Sequence, residues 1–379
     1  MSAPARPNPG KYTARERLLR VLGHQQTDRL PICPVGMSPF TWHMDFPSYH
    51  PVLEVARRHC EFMAGFPLDG GFALCDPRIL DMKSETVEAG ERKTRTTVLR
   101  TPKGELTQVQ VHDRSVGSWG LLKPFIGDEA DLARMASLPF EPVVPDLAAR
   151  AELESRVGDA GLVYCNGVRD ALLTATSGMS EEFRPVFCFT EPERLRKMVE
   201  RAQERLLAYV ARVLDAGAGP VFRFYAIEDF VEPVMPPAFV DEFIVPYDRE
   251  VVKLIHSRGR HVVMHCHGRL GAQIRRMVAI GVDGVDCAES PPQNDIDLAG
   301  MVRESGGKMF IWGYIQFETL ARATPEQVDA LVREAVAVGG TEGRYVLSQA
   351  ASPWMAELPG RTAENLIRMI EAGARYGGH

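Results

Sequence analysis

The sequence predicts an α/β fold, a (β/α)8 TIM-type barrel with an N-terminal extension. Two observations carry this. From about residue 161 onward, short apolar segments alternate with amphipathic stretches across tight turns, the rhythm of a parallel sheet with crossover helices. Polar and ionisable residues also recur just after those apolar segments, where barrels build their sites. No Gly-rich phosphate loop argues for an open doubly wound sheet.

The segments follow in order. Residues 1–12 (MSAPARPNPGKY) lack an apolar core and read as a loose arm rather than a signal peptide. Thr13-x-x-Glu16 is a capping box that opens a helix with Leu18, Leu19 and Leu22 on one face. Strands are expected at 31–35, 70–75, 161–166, 220–225, 261–267, 283–288, 309–314 and 345–349. Helices are expected at 192–215, 237–257, 269–280, 294–305, 325–338 and 361–375. Residues 85–112 alternate polar and apolar around Lys103-Gly104, which predicts a β-hairpin excursion. With no internal repeat, residues 1–379 read as one domain.

Composition narrows the function classes. The 379 residues are 45% hydrophobic and 25% charged, with a net charge of −6, so no basic field favours nucleic acid. No apolar run approaches the ~20 residues that span a bilayer. Seven scattered cysteines without a CxxC pair fit a reducing, cytoplasmic setting. A small-molecule enzyme, and by default a homodimer, is the expectation.

Candidate chemistry centres on VVMHCHGRL, residues 262–270. Residues two apart on a strand share a face, so His265 and His267 point together and Cys266 points to the helix layer as apolar filler. Two imidazoles at a strand end suit a zinc ion completed by ligands from other strands; a hydrogen-bonded polar pair is the structural alternative. Glu228 follows VFRFY, and Glu289 precedes Ser290-Pro291-Pro292, which stops the ladder. Either carboxylate could act as catalytic acid or base, and Glu289 is the expected third metal ligand. The plainer reading is a salt bridge to Arg223 or Arg269, and Asp229 and Asp286 are nearby competitors that a slip of one residue in the strand assignment would promote. Asn166, Tyr225, Gln316 and Gln349 lie at other strand ends and are the expected substrate-binding groups.

Three stretches carry a resemblance to a known family. RERLLRVLGHQQTDRLP near the start, PPAFVDEFIVPYDREVVKLIHSRGRHVVMHCHG in the middle, and RYVLSQAASPW with AENLIRMIEAGARYG at the end are similar to uroporphyrinogen decarboxylase superfamily proteins. The decarboxylases hold substrate carboxylates with a segment close to MRQAGRY; here Pro34-Val-Gly-Met-Ser-Pro-Phe has no arginine. The superfamily's cobalamin-dependent methyltransferases bind zinc through His-x-Cys and a later cysteine. His265-x-His267 falls on the first motif, and Ala350 or Ala351 stands where the later cysteine would be.

The resemblance therefore implies a refitted methyltransferase scaffold. It would be a metal-assisted methyltransferase or demethylase of a methoxylated or N-methylated small molecule, with Zn2+ as cofactor. The methyl group would pass to a corrinoid protein or another acceptor. No Asp-x-His-x-x-Gly corrinoid motif occurs in the chain, so a corrinoid would come on a separate protein or as free cofactor. Two alternatives stay open: a metal-free decarboxylase or related lyase of a small acid, and a non-catalytic small-molecule-binding barrel.

Overall fold

The computed structural model describes residues 10–113, 119–225, 227–340 and 342–378. Its strands are β1 (Phe62–Pro67), β2 (Asp81–Ala89), β3 (Arg92–Thr101), β4 (Gly104–Asp113), β5 (Trp119–Lys123) and β6 (Gly161–Arg169). They continue as β7 (Val221–Tyr225), β8 (His261–His265), β9 (Gly284–Ala288), β10 (Phe310–Ile315) and β11 (Tyr345–Gln349). Strands β1 and β6 to β11 form one seven-stranded parallel sheet in sequence order, with helices filling most of the crossovers.

The segment expected as the first strand, 31–35, makes a single parallel bridge, Ile32 to Leu347, and not a strand. Its backbone nevertheless reaches both edges of the sheet. Leu347 N donates to Pro31 O, Cys33 N to Leu347 O, and Glu61 N to Ile32 O. Side chains add to this, since Trp312 Nε1 donates to Cys33 O and Gln349 Nε2 to Val35 O.

The strand expected at 70–75 is not there; the sheet uses Phe62–Pro67 instead. Gly71, Ala73 and Leu74 all have positive φ, near 60°, which an extended ladder excludes. The helix expected at 237–257 divides into Pro237–Phe243 and Val245–His256. Pro246 has no N–H to donate to the preceding turn, and the chain breaks at Ile244. Residues 81–123 form a four-stranded antiparallel sheet, β2-β3-β4-β5, with a two-residue turn joining Thr101 to Gly104.

Two apolar layers place the open end of the sheet. Outside, Phe222, Met264, Val285, Ile311 and Leu347 pack beneath the helices. Inside, Leu162, Val221, Val263, Phe310 and Val346 meet Leu18, Val21 and Leu22 of the helix Ala14–Leu22. Those strand residues lie at or near the amino-terminal ends, so this helix plugs that end and leaves the carboxyl-terminal end for a site. Its capping box forms as the sequence predicts, with Thr13 accepting from the Glu16 amide.

A buried charge cluster anchors the plug. Arg17 Nη1 and Arg29 Nη2 lie 2.7 and 2.9 Å from Glu61 Oε1, while Glu61 Oε2 accepts from the Ile32 amide. Of the expected arm, residues 1–9 lie outside the described residues, and the Lys11 and Tyr12 amides are pinned by Asp28. Among the described residues no helix is long and apolar enough to cross a membrane.

Two further carboxyl groups are buried between helices. Asp170 caps the helix Ala171–Ala175 through one oxygen, and Asp248 sits on Val245–His256; each keeps a second oxygen without a partner. Burial pushes both pKa values up, Asp170 to about 7, and the charge of Asp170 pushes Asp248 further. A carboxyl raised by folding gives its full stabilisation below the unfolded value of about 3.9 and loses it as pH rises through the folded value. Asparagine keeps the cap and removes the ionisation. Asp170→Asn should therefore be more stable than wild type at pH 8 in urea denaturation, with the gain shrinking at pH 5; a pH-independent difference would refute this.

Candidate metal centre

Strand alternation on β8 turns Val263 and His265 inward and leaves Met264 and Cys266 buried in the outer layer. Gly268, at φ 79°, carries the chain away just beyond, so His267 stands at the rim. The two imidazole centroids are 4.8 Å apart, with the rings nearly perpendicular.

The interior below is charged. Arg223 on β7 and Asp286 on β9 reach across β8 and meet through Nε and Oδ2 at 2.5 Å. His265 Nδ1 lies 2.9 Å from Asp286 Oδ1 and 2.8 Å from Arg223 Nη2. One ring nitrogen cannot both donate and accept. Burial works against the charge on Asp286, but Arg223 and His265 hold its pKa below the usual carboxylate range. An ionised Asp286 requires a donor, so Nδ1–H facing Asp286 is the consistent tautomer, and it leaves Nε2 with a free lone pair. Burial likewise opposes the charge on Arg223, and Asp286 together with Tyr164, Tyr225 and Cys287 outweighs it, so its pKa is raised.

Cys287, the next residue on β9, was not among the candidates that alternation selected. It should point away from Asp286, yet it lies in the interior layer. A β-bulge is the reason. In the pairing with β10, Trp312 faces Asp286 and Gly313 faces Ala288, so Cys287 is skipped, with φ at 59°. Gly313 tolerates this, because a Cβ there would come within 2.6 Å of Ala288 O. Non-glycine residues held at positive φ cost energy and concentrate at functional sites. Nothing in the local sequence announced the bulge beyond a polar Asp286-Cys287 pair close to a strand end.

The outcome is a cluster: the ligand atoms of His265, His267 and Cys287 all lie within 4.8 Å of one another. Burial pushes the Cys287 thiol up, with Asp286 adding to the shift, and Arg223 Nη2 approaches its sulfur at 3.7 Å.

The two glutamates flank this cluster. Glu228 accepts from the His267 amide at 2.8 Å and stands 3.8 Å from His265 Nε2. Glu289 accepts from the Gly268 amide at 2.6 Å, with His267 Nδ1 3.7 Å away, an ion-pair distance too long for a hydrogen bond. Burial opposes ionisation of Glu289, but His267 and the Gly268 amide hold its pKa down, and the carboxylate in turn raises that of His267. Both glutamates thus fix the turn that carries the second imidazole.

The other candidates divide. Tyr225 accepts from Arg223 and donates to Asn166 Oδ1 at 2.6 Å, so both join the interior network. Gln316 donates to Ser290 O, at the edge beside Glu289. Gln349 is fully buried, with Nε2 donating to Val35 O and Oε1 accepting from Ser348, so its polar groups hold segment 31–35 against β11. Asp229 lies 3.7 Å from Arg184, and Arg223 pairs with Asp286 rather than with either glutamate.

A seven-stranded parallel sheet of this kind, plugged at one end and carrying histidines at the other, defines an α/β, TIM-barrel-like scaffold. The profile of one family, described as uroporphyrinogen decarboxylase (URO-D), matches residues 175–376, and the chain belongs to that family. Among solved structures, a methyltransferase from Methanosarcina mazei shares the fold at a TM-score of 0.59 and 16% identity, over 97% of this chain and 99% of that one. A muconate lactonizing enzyme from Pseudomonas putida reaches a TM-score of 0.29 at 11% identity over 78% of each chain. A xylose isomerase-like TIM barrel protein from Mycobacterium smegmatis, in complex with magnesium, reaches 0.30 at 14% identity over 64% of this chain and 81% of that one. Neither of these superposes well enough to bear on this chain. No curated protein sequence matches it.

Removing one partner of a buried ion pair leaves the other charge uncompensated, at a cost of about 3–5 kcal/mol. Arg223→Met should lose that much in urea denaturation. The double variant Arg223→Met/Asp286→Leu should regain most of it, and a double variant no more stable than the single one would count against this account.

Proposed function

We propose that this protein is a metal-assisted methyltransferase or demethylase. It would take a methyl group from a methoxylated or N-methylated small molecule and pass it to a corrinoid protein or another acceptor. One observation carries the reading: three ligand atoms, from His265, His267 and Cys287 on or just beyond adjacent strands, converge at the open end of the sheet. With segment 31–35 taken as an eighth strand, the architecture is a (β/α)8 barrel, whose sites lie at that end.

The donor set fits a zinc-class ion. Two imidazoles and a thiol are borderline-soft ligands, and three protein ligands leave a coordination position for substrate. The bulged, strained backbone at Cys287 and the Asp286 carboxylate behind His265 are what a preorganised site needs. Bound there, the ion would act as a Lewis acid on the heteroatom that carries the methyl group. Glu289, the third ligand expected from the sequence, lies 3.7 Å from His267 and borders this set, in which Cys287 takes the third position.

The chain's own groups have separable tasks. Asp286 holds His265 in one tautomer, and Arg223 keeps Asp286 ionised while offering a hydrogen bond toward the Cys287 sulfur. Glu228 and Glu289 set the position of His267 through two consecutive backbone amides, and either is placed to take or return a proton at the rim. Asn166 and Tyr225 form a polar wall on the β6–β7 side and Gln316 one beyond β9, places for substrate polar groups. All seven cysteines are free and buried, which supports a reducing, cytoplasmic setting.

The test is metal analysis of the purified chain, paired with methyl transfer to free cob(I)alamin from a panel of methoxylated and N-methylated compounds. The expected result is about one zinc per chain, lost together with transfer in His265→Ala, His267→Ala and Cys287→Ala. Metal-free protein that keeps full activity would overturn the mechanism. Chelator-insensitive release of CO2 from a small acid would replace it with a lyase.

A further inference from the structure

A partly enclosed cavity of about 230 Å3 lies away from the histidines, between the helix Pro192–Asp215 and the short helix Glu129–Met135 that follows the antiparallel sheet. Most of its wall is apolar, formed by Phe72, Leu80, Ile126, Leu132, Met135 and Leu138. Leu80, Ile126 and Leu132 are themselves buried, so core packing fixes that wall.

One side is different. Arg194, Arg201 and Arg205 all border the cavity from the long helix, where spacings of seven and four put them on one stripe. Arg194 is neutralised by Glu129, 2.7 Å away. Among the described residues, Arg201 and Arg205 have no carboxylate within 4 Å, although Glu200 and Glu204 flank them on the same helix. Arg205 is half-buried, and its guanidinium stacks 3.6 Å over the Phe140 ring. Burial and the charge of Arg201 both push its pKa down, as an uncompensated cation beside apolar surface requires.

We propose that this cavity binds a small amphipathic carboxylate, with its apolar body against the leucine and phenylalanine wall and its carboxylate on Arg201 and Arg205. Planar guanidinium groups match a carboxylate through paired hydrogen bonds, and an anion there relieves the repulsion between the two cations. The apolar wall excludes a fully hydrated anion and selects one with a hydrocarbon or aromatic body. The site is independent of the metal centre and uses none of its residues.

Isothermal titration of the full-length chain with decanoate, and separately with 1-decanol, tests this. Saturable one-to-one binding of decanoate is expected, roughly tenfold tighter than that of decanol. Arg201→Gln and Arg205→Gln should each weaken decanoate about tenfold and leave decanol unchanged. Ala175→Phe, which fills the cavity from a lining position, should remove both; Leu138→Trp does the same job if the first variant fails to fold. Equal affinity for the two probes, decanoate binding indifferent to both arginine changes, or no saturable binding below the micellar range would each overturn the proposal.

Discussion

The ion pair between Arg223 and Asp286 is the constraint on which the site depends. Both side chains are interior, one on β7 and one on β9, and they meet across β8. A charge in that position is tolerable only if another neutralises it and the remaining hydrogen-bond capacity is filled. Asp286 spends its second oxygen on His265, and Arg223 spends its other nitrogens on Tyr225 and toward Cys287. The orientation of His265, the ionisation of Asp286 and the polar wall at Tyr225 and Asn166 therefore follow from one contact. A polar core of this kind is all or nothing, because a half-satisfied network costs more than an apolar one.

The rest of the architecture keeps that network at a single open end. The helix Ala14–Leu22 fills the amino-terminal end with leucine and valine, and Arg17 and Arg29 tie it to Glu61 at the start of β1. Segment 31–35 fastens the two edges of the sheet with backbone bonds and with Trp312 and Gln349. At the other end, Gly268 and Ser290-Pro291-Pro292 terminate β8 and β9 in step, so that His267 and Glu289 emerge side by side.

Much of the fold was legible from the chain. Seven of the eight expected strands have counterparts at or near their positions, six of them in the sheet, because apolar alternation and tight turns are local signals. The segment 70–75 misled because its composition looks strand-like while its backbone visits positive φ. Within the site, His265, His267, Glu228 and Glu289 were recoverable from strand ends alone. Gln349 was equally polar and equally placed, yet its side-chain amide donates to the Val35 carbonyl, more than 300 residues away, which no local pattern encodes.

By itself, the sequence determined that His265 and His267 share a side and that acidic residues follow the neighbouring strands, since both are consequences of a two-residue repeat and of chain breakers such as Pro291. Only the tertiary structure decided that Cys287 turns inward beside Asp286 and that Arg223 pairs with Asp286 instead of with a glutamate. The bulge exists because β10 presents Gly313 opposite it, and the ion pair exists because three strands hold a common register. Both are agreements between segments far apart in the chain, and such agreements are fixed by packing and not by neighbouring residues.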